Sequence, residues 1–142
     1  MTLRRSLPYI GYVAYLALAF LYFPAKVGFK LEPRTCEMIG SWRLALFSFT
    51  NYAHIVMLGV FFVLSFLNFS LARAPIDRRY LYSAIGTLTL GVLIEVGEGV
   101  SGKGHCRLRD LLPDSAGIAL GAAAVALFMV LKQRLTPQNA AT

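Results

Sequence analysis

Four of the seven acidic residues in this chain fall within twenty positions, around the junction of two apolar segments. Glu95 and Glu98 close one segment, and Asp110 and Asp114 open the next. An ionisable side chain in or at the edge of a membrane costs free energy to keep, so it indicates a functional site. Carboxylates grouped in this way orient phosphate-binding basic groups, hold a hard divalent cation or exchange protons.

A second polar pair lies near the start of an earlier apolar segment. Asn51 and His54 are three residues apart, so a helix would present them on one face. The order of the segments places this pair at the same membrane face as the acidic residues. With the arginines of the intervening loop, the predicted polar site comprises Asn51, His54, Glu95, Glu98, Arg107, Arg109, Asp110 and Asp114.

The elements that must position these residues are four apolar segments, at about 7–23, 44–71, 80–97 and 111–131. Each is long enough, at about 1.5 Å per residue, to cross or nearly cross a bilayer core of about 30 Å. With 57% hydrophobic and 15% charged residues, the composition excludes an ordinary soluble domain. We predict an all-α polytopic membrane protein, a bundle of four transmembrane helices in a single domain over residues 1–142, with a disordered tail at 136–142.

The first segment has one competing interpretation. Arg4 and Arg5 precede an apolar run, as in a secretory signal peptide. The run ends in Tyr22, Phe23 and Pro24, however, where a cleavage site would need small residues. The sequence therefore predicts a retained first helix.

The net charge of +7 comes from basic residues that flank the apolar segments. This placement is typical of helix ends anchored near phospholipid headgroups and argues against nucleic-acid binding. The two predicted sides of the membrane carry equal numbers of Lys and Arg, but Arg4–Arg5 and the Arg73–Arg79 loop are the compact clusters. We therefore predict that both termini lie in the cytoplasm and that the first and third loops lie outside.

The two cysteines fall in those two outer loops. Cys36 lies in the first loop and Cys106 in the third, so they share one side of the membrane. That placement suits an extracytoplasmic disulfide, but it also suits two free thiols that never meet. The sequence leaves both alternatives open.

The fourth segment begins with a stripe of acidic and small residues, Asp110, Asp114, Gly117 and Gly121, at positions i, i+4, i+7 and i+11. Gly117 and Gly121 form a GxxxG pattern, which predicts that the stripe faces another helix. Asp110 suits the helix N-cap. Asp114 lies a full turn inside, so we expect it to be buried with a partner, either a loop arginine or His54.

These motifs together resemble the VanZ-like family of small bacterial membrane proteins, named for a protein of glycopeptide (teicoplanin) resistance. The resemblance covers residues 44–131. It rests on a His near the outer end of the second segment, Glu-x-x-polar closing the third, and Asp-x-x-x-(Asn/Asp)-x-x-Gly-x-x-x-Gly opening the fourth. The family commonly has Asp-Lys at Asn51-Tyr52, Gln at Glu98 and Asn at Asp114. The resemblance implies an inner-membrane protein of the bacterial cell envelope, with antibiotic resistance as an expected role.

Several functions compete for the polar site. The favoured one is a non-enzymatic envelope protein without a cofactor, whose outward-facing site binds a lipid-linked or cell-wall component or a membrane protein partner. The second is a membrane enzyme acting on a lipid head group, through a divalent cation held by carboxylates with His54 or His105, or through a buried carboxylate as general acid or base. The third is an ion-pair network that only holds helices together. A transporter or channel ranks last, because three of the four segments have no charged residue near the middle of the membrane.

Overall fold

The computed structural model describes residues 6, 9–14, 16–17, 35–38, 40–101 and 106–135, and the regular structure in these ranges is helical. The elements are a short helix α1 (Trp42–Ser48), three long helices α2 (Tyr52–Leu71), α3 (Ile76–Ser101) and α4 (Leu111–Leu135), and a 3-10 turn (Leu108–Asp110) leading into α4. The predicted all-α fold class is therefore confirmed for the described part of the chain.

Residues 9–14 and 16–17 are also helical. The remainder of the predicted first segment at 7–23 and the predicted tail at 136–142 lie outside the described residues. Tyr12 packs its ring against Phe69 of α2 in an edge-on arrangement, with ring centroids 4.7 Å apart. The N-terminal helical residues thus pack against α2 at Phe69 and against α3 at Gly86, where the Tyr12 hydroxyl fills the space of a Cβ.

Three helices in the described ranges are long and apolar enough to cross a membrane: α2, α3, and α4 together with its preceding turn. At about 1.5 Å per residue, even the 20 residues of α2 reach about 30 Å, the thickness of a bilayer core. A connection of four residues, 72–75, joins α2 to α3, and such a short link places the two helices side by side in opposite directions.

The prediction of a single helix at 44–71 is wrong, because the structure has two helices there, α1 and α2. Asn51 has φ −81° and ψ 62°, which is not helical. The amides of Thr50 and Asn51 bond to carbonyls three residues back, and the Thr50 hydroxyl donates to the Phe47 carbonyl at 2.8 Å. Ser, Thr and Asn side chains compete for backbone hydrogen bonds, so a run of them favours a break that hydropathy does not register.

The predicted third and fourth helices are too short. α3 begins at Ile76 and ends at Ser101, beyond the predicted 80–97, and α4 continues past 131 to Leu135. The added turns carry charged side chains, among them Asp77 in the first turn of α3 and Lys132 in the last turn of α4. An apolar segment marks the part of a helix in lipid, whereas the helix itself continues into the polar interface, where such charges complement its dipole.

The GxxxG stripe of α4 faces α2, where three glycines let the backbones approach closely. A Cβ added at Gly117 would overlap the carbonyl oxygen of Ile55, and one at Gly121 would lie 2.8 Å from the carbonyl oxygen of Gly59. The sequence predicted that this stripe faces a helix, and the structure identifies α2 as that helix. Close contact through small residues is how helices pack where lipid removes the hydrophobic driving force.

The inner face of α3 is a stripe of buried small and polar residues spaced four apart: Ser83, Thr87, Gly91, Glu95 and Gly99. Residues at this spacing stack on one side of a helix. The hydroxyls of Ser83 and Thr87 have no hydrogen-bond partner among the described residues. The stripe runs along α3 towards its C-terminal end, where Glu95 and the candidate site lie.

Candidate functional site

The site is centred on a contact between two helices that are far apart in sequence. The Nδ1 atom of His54, in the first turn of α2, lies 2.9 Å from Oδ1 of Asp114, in the first turn of α4. The imidazole donates this bond, which keeps the proton on Nδ1 and leaves Nε2 as the ring atom available to a ligand. The His54 side chain is 18% exposed, whereas Asp114 is fully buried.

Asp114 is held so deeply because Gly91 of α3 makes room for it. A Cβ at position 91 would overlap Oδ2 of Asp114. This second carboxylate oxygen is buried and has no hydrogen-bond partner among the described residues. Of the partners that the sequence suggested for Asp114, the structure supplies His54 and neither arginine.

Glu95 joins the same site from α3. It is 2% exposed, and its Oε2 accepts a hydrogen bond of 2.6 Å from the backbone N–H of Arg107. Cys106, the neighbour of Arg107, forms a disulfide with Cys36, and the two sulfur atoms pack against Gly99, one turn after Glu95. The disulfide therefore belongs to the framework of the site, although the sequence alone left the cysteines paired or free.

A short parallel bridge completes this framework. The amide of Glu37 donates to the carbonyl of Cys106 at 2.9 Å, and the amide of Leu108 donates to the carbonyl of Glu37 at 3.1 Å. The bridge and the disulfide together fix residues 35–38 against 106–108. The donor that holds Glu95 is thereby part of a rigid, cross-linked loop.

Asp110 provides the third carboxylate. It ends the 3-10 turn before α4, it is 7% exposed, and one of its oxygens converges with a ring nitrogen of His54 and an oxygen of Glu95. These three atoms lie within 4.8 Å of one another. One imidazole and two carboxylates at this separation form a donor set for a divalent cation.

The two loop arginines do not enter this buried cluster with their side chains. Arg107 Nε and Arg109 Nη2 lie 3.5 Å and 3.3 Å from Oε2 of Glu37, a side chain that is 55% exposed. Glu95 thus contacts the backbone N–H of Arg107, while Glu37 contacts the guanidinium groups of Arg107 and Arg109. These three side chains form what we call the rim of the site, with Glu37 55%, Arg107 35% and Arg109 12% exposed.

Two of the predicted site residues lie beside the cluster. Asn51 precedes α2 and accepts the His54 amide with its carbonyl at 3.1 Å, but its side chain makes no capping hydrogen bond. The prediction that one helix carries both Asn51 and His54 is therefore wrong, because α2 begins after Asn51. Glu98 is half-buried near Glu95 and is not one of the three residues whose ligand atoms converge.

Sequence reasoning missed Glu37 as a member of the site. The signal was present, because Glu37 follows Cys36 as Arg107 follows Cys106. A disulfide between the cysteines brings the two following residues together, and their opposite charges then pair. Because the sequence left the disulfide undecided, this step was not available from it.

The charges of the site do not balance within the described residues. Glu95, Asp110 and Asp114 are buried around a single imidazole, and Arg107, Arg109 and Glu37 together add only one net positive charge. A buried carboxylate is stable only when it is protonated, hydrogen-bonded, paired with a cation or bound to a metal. The arrangement can therefore hold a proton or a cation, and it can present His54 as a base.

Comparisons with models of known protein families, with curated proteins and with solved structures found no match to this chain. The chemistry of the site is therefore inferred from its own geometry.

Proposed function

We propose that this chain is a four-helix, VanZ-like integral protein of the bacterial inner membrane, and that its outward-facing polar site binds an envelope component, such as a lipid-linked cell-wall intermediate, or a membrane protein partner. In this arrangement the N-terminal segment supplies a fourth transmembrane helix beside α2, α3 and α4. A role in resistance to glycopeptide antibiotics follows from the resemblance and belongs to the same proposal.

The observation that carries the proposal is the buried cluster of His54, Glu95, Asp110 and Asp114 at one end of three apolar helices. Such a cluster is costly in a membrane protein, where polar side chains are retained mainly for function. The disulfide at the same end supports an outward-facing position, because disulfides persist in oxidising compartments and are rare in the cytoplasm.

The rim of the site supports an anionic ligand. Arg107 and Arg109 share one exposed carboxylate, Glu37, at distances of 3.5 Å and 3.3 Å. The Arg107–Glu37 pair is partly exposed, at 35% and 55%, and such pairs are weak, whereas guanidinium groups bind phosphate and carboxylate with two parallel hydrogen bonds. A phosphate or carboxylate ligand would therefore displace Glu37 from the arginines.

The experiment that tests the proposal is Glu95→Gln, scored for membrane abundance, thermal stability in detergent and rescue of a gene-deletion phenotype. Asp77→Asn is the matched control, since Asp77 is an exposed carboxylate at the opposite end of the same helix. We expect Glu95→Gln to insert stably and to fail in rescue, while the control rescues. If Glu95→Gln is lost from the membrane or melts early, the cluster only holds the helices together, and the proposal fails.

A second candidate function is catalysis on a lipid head group. The His54–Asp114 contact favours it, because a buried carboxylate that fixes one imidazole nitrogen prepares the other as a general base. This alternative predicts turnover of a lipid substrate by purified protein and a loss of turnover in His54→Gln. Binding of the same lipid without turnover would leave the recognition function as the better account.

A further inference from the structure

We infer that His54, Glu95 and Asp110 bind a divalent transition-metal ion such as Zn²⁺, with Asp114 as a positioning residue. The inference rests on the proposed function in one respect, since both need the polar cluster to be a binding site rather than a packing network. It goes further by assigning the cluster a cofactor and each residue a separate role.

The first argument is the convergence of donor atoms. A ring nitrogen of His54 and one oxygen each from Glu95 and Asp110 lie within 4.8 Å of one another. Zn²⁺ takes imidazole nitrogen and carboxylate oxygen at about 2.0–2.2 Å, with three protein ligands and an open fourth position in its reactive sites. Binding would draw the three atoms inward around the ion, and the partly exposed His54 marks the side from which a fourth ligand enters.

The second argument is that two of the three donors are already oriented by outer contacts. Asp114 holds His54 through Nδ1 at 2.9 Å, which leaves Nε2 as the nitrogen that would bind the ion. The backbone amide of Arg107 holds Glu95 at 2.6 Å, from a loop fixed by the disulfide. A carboxylate on the far nitrogen of a metal-binding histidine and a hydrogen bond on a metal-binding carboxylate are the usual supports of a metal centre.

The third argument is independent of the donor geometry and concerns charge. Asp114 is fully buried, and its Oδ2 has no hydrogen-bond partner in the described ranges, while Glu95 and Asp110 are buried close by. The guanidinium groups of Arg107 and Arg109 share the carboxylate of Glu37, so the three side chains together carry one net positive charge, against three buried carboxylates and one imidazole. A divalent cation between Glu95 and Asp110 would supply the missing positive charge. A network that only holds the helices together would leave these carboxylates without that charge.

The test is metal binding by the full-length protein, purified in detergent and stripped with a chelator. Zn²⁺ is titrated against a chromogenic chelator, and the stoichiometry is checked by elemental analysis. We expect one ion per chain with micromolar or tighter affinity, loss of binding in Glu95→Gln and in Asp110→Asn, and no change in Asp77→Asn. Asp114→Asn should weaken binding by about 10- to 100-fold, as removal of an outer carboxylate does at other metal sites.

A Co²⁺ titration provides a second readout, because the absorption band reports the identity and geometry of the ligands in each variant that remains folded. Wild-type protein should give a visible absorption band typical of nitrogen and oxygen ligands, and the band should shift in Asp114→Asn. Stoichiometric binding that persists in both Glu95→Gln and Asp110→Asn, or the absence of stoichiometric binding in wild type, overturns the inference.

The inference and the proposed function fail in different ways. If wild type binds no metal but Glu95→Gln still inserts stably and fails in rescue, the recognition site stands without a metal. If wild type binds one ion through Glu95 and Asp110 but Glu95→Gln rescues the deletion, the metal centre stands and the recognition function is wrong.

Discussion

At the scale of single residues, the contact between His54 and Asp114 is the central feature of the site, because it joins a partly exposed imidazole to a fully buried carboxylate. Asp114 is fully buried, yet only one of its two oxygens has a partner among the described residues. Asp114 therefore contributes both a hydrogen-bond acceptor for the imidazole and a negative charge that a bound cation would offset. These two roles can be separated by substitution.

We predict that Asp114→Asn keeps the stability of the metal-free protein and that Asp114→Ala lowers it. The amide oxygen of Asn still accepts the Nδ1–H bond, whereas Ala leaves that donor unpaired in a largely buried position, at a cost of about 1–3 kcal/mol. Thermal unfolding in detergent with a chelator present measures both. Equal losses of stability in the two variants would mean that the carboxylate charge itself holds the helices.

At the scale of elements, the interface between α2 and α4 determines where His54 and Asp114 meet. The glycine contacts set the distance between the helices, and the ends of both helices then carry the two side chains into hydrogen-bonding range. α1 contributes from outside: it packs against the 3-10 turn and α4 and leaves Trp42, Leu46 and Phe47 exposed. An apolar outer face of this kind suits the membrane interface, where Trp is favoured.

We predict that Gly117→Ala lowers thermal stability by about 1–3 kcal/mol, the usual cost of forcing extra volume into a packed interface. The new Cβ would overlap the Ile55 carbonyl oxygen, so α4 must move away from α2. Gly11→Ala is the matched control, because no described atom lies within 4 Å of a Cβ at that position. The control should be neutral or slightly stabilising, since Ala favours helix more than Gly does. Equal effects of the two changes would contradict this account of the interface.

The disulfide acts between elements, because it fixes the segment before α1 to the segment before α4. Cys36 and Cys106 are 70 residues apart in sequence, and a cross-link over a loop of that length typically contributes about 2–4 kcal/mol. We predict that a reducing agent lowers the melting temperature of wild type and leaves a Cys36→Ser/Cys106→Ser double variant unchanged. A wild type that melts at the same temperature with and without reductant would show that the bridge and the helices hold the loop unaided.

At the scale of the whole molecule, the site, the disulfide and the arginine rim lie at one end, and the basic residues at the turn between α2 and α3 and at the end of α4 lie at the other. Arg73 and Arg78 are exposed near the turn between α2 and α3, and Lys132 and Arg134 lie in the last turn of α4. Basic residues concentrate on the cytoplasmic side of membrane proteins. This polarity supports the proposed orientation with the site outside.

We predict that a C-terminal fluorescent-protein fusion is bright and a C-terminal alkaline-phosphatase fusion inactive, because the first folds in the cytoplasm and the second needs an oxidising compartment. Alkaline phosphatase inserted into the loop at 102–105 should be active. The opposite pattern would show the reverse orientation, with the disulfide in a reducing compartment, and would contradict the proposed outward-facing site.

The sequence by itself determined the helical class, the apolar segments behind α2, α3 and α4, and the small-residue face of α4. These are local properties: composition and block length report burial in lipid, and spacing along one helix reports which residues share a face. It also selected His54, Glu95, Asp110 and Asp114 for attention, because charged residues are rare in such segments.

Only the tertiary structure decided which of these residues meet. The partners His54 and Asp114 are 60 residues apart, and Glu37 meets the arginines where the disulfide and the backbone bridge join residues 35–38 to 106–108. Each residue along a helix turns the side chain by about 100°, so a small change in rotation or register of one helix selects a different set of partners. That rotation is fixed by the close packing of Gly117 on Ile55, a contact between distant segments that local sequence patterns do not specify.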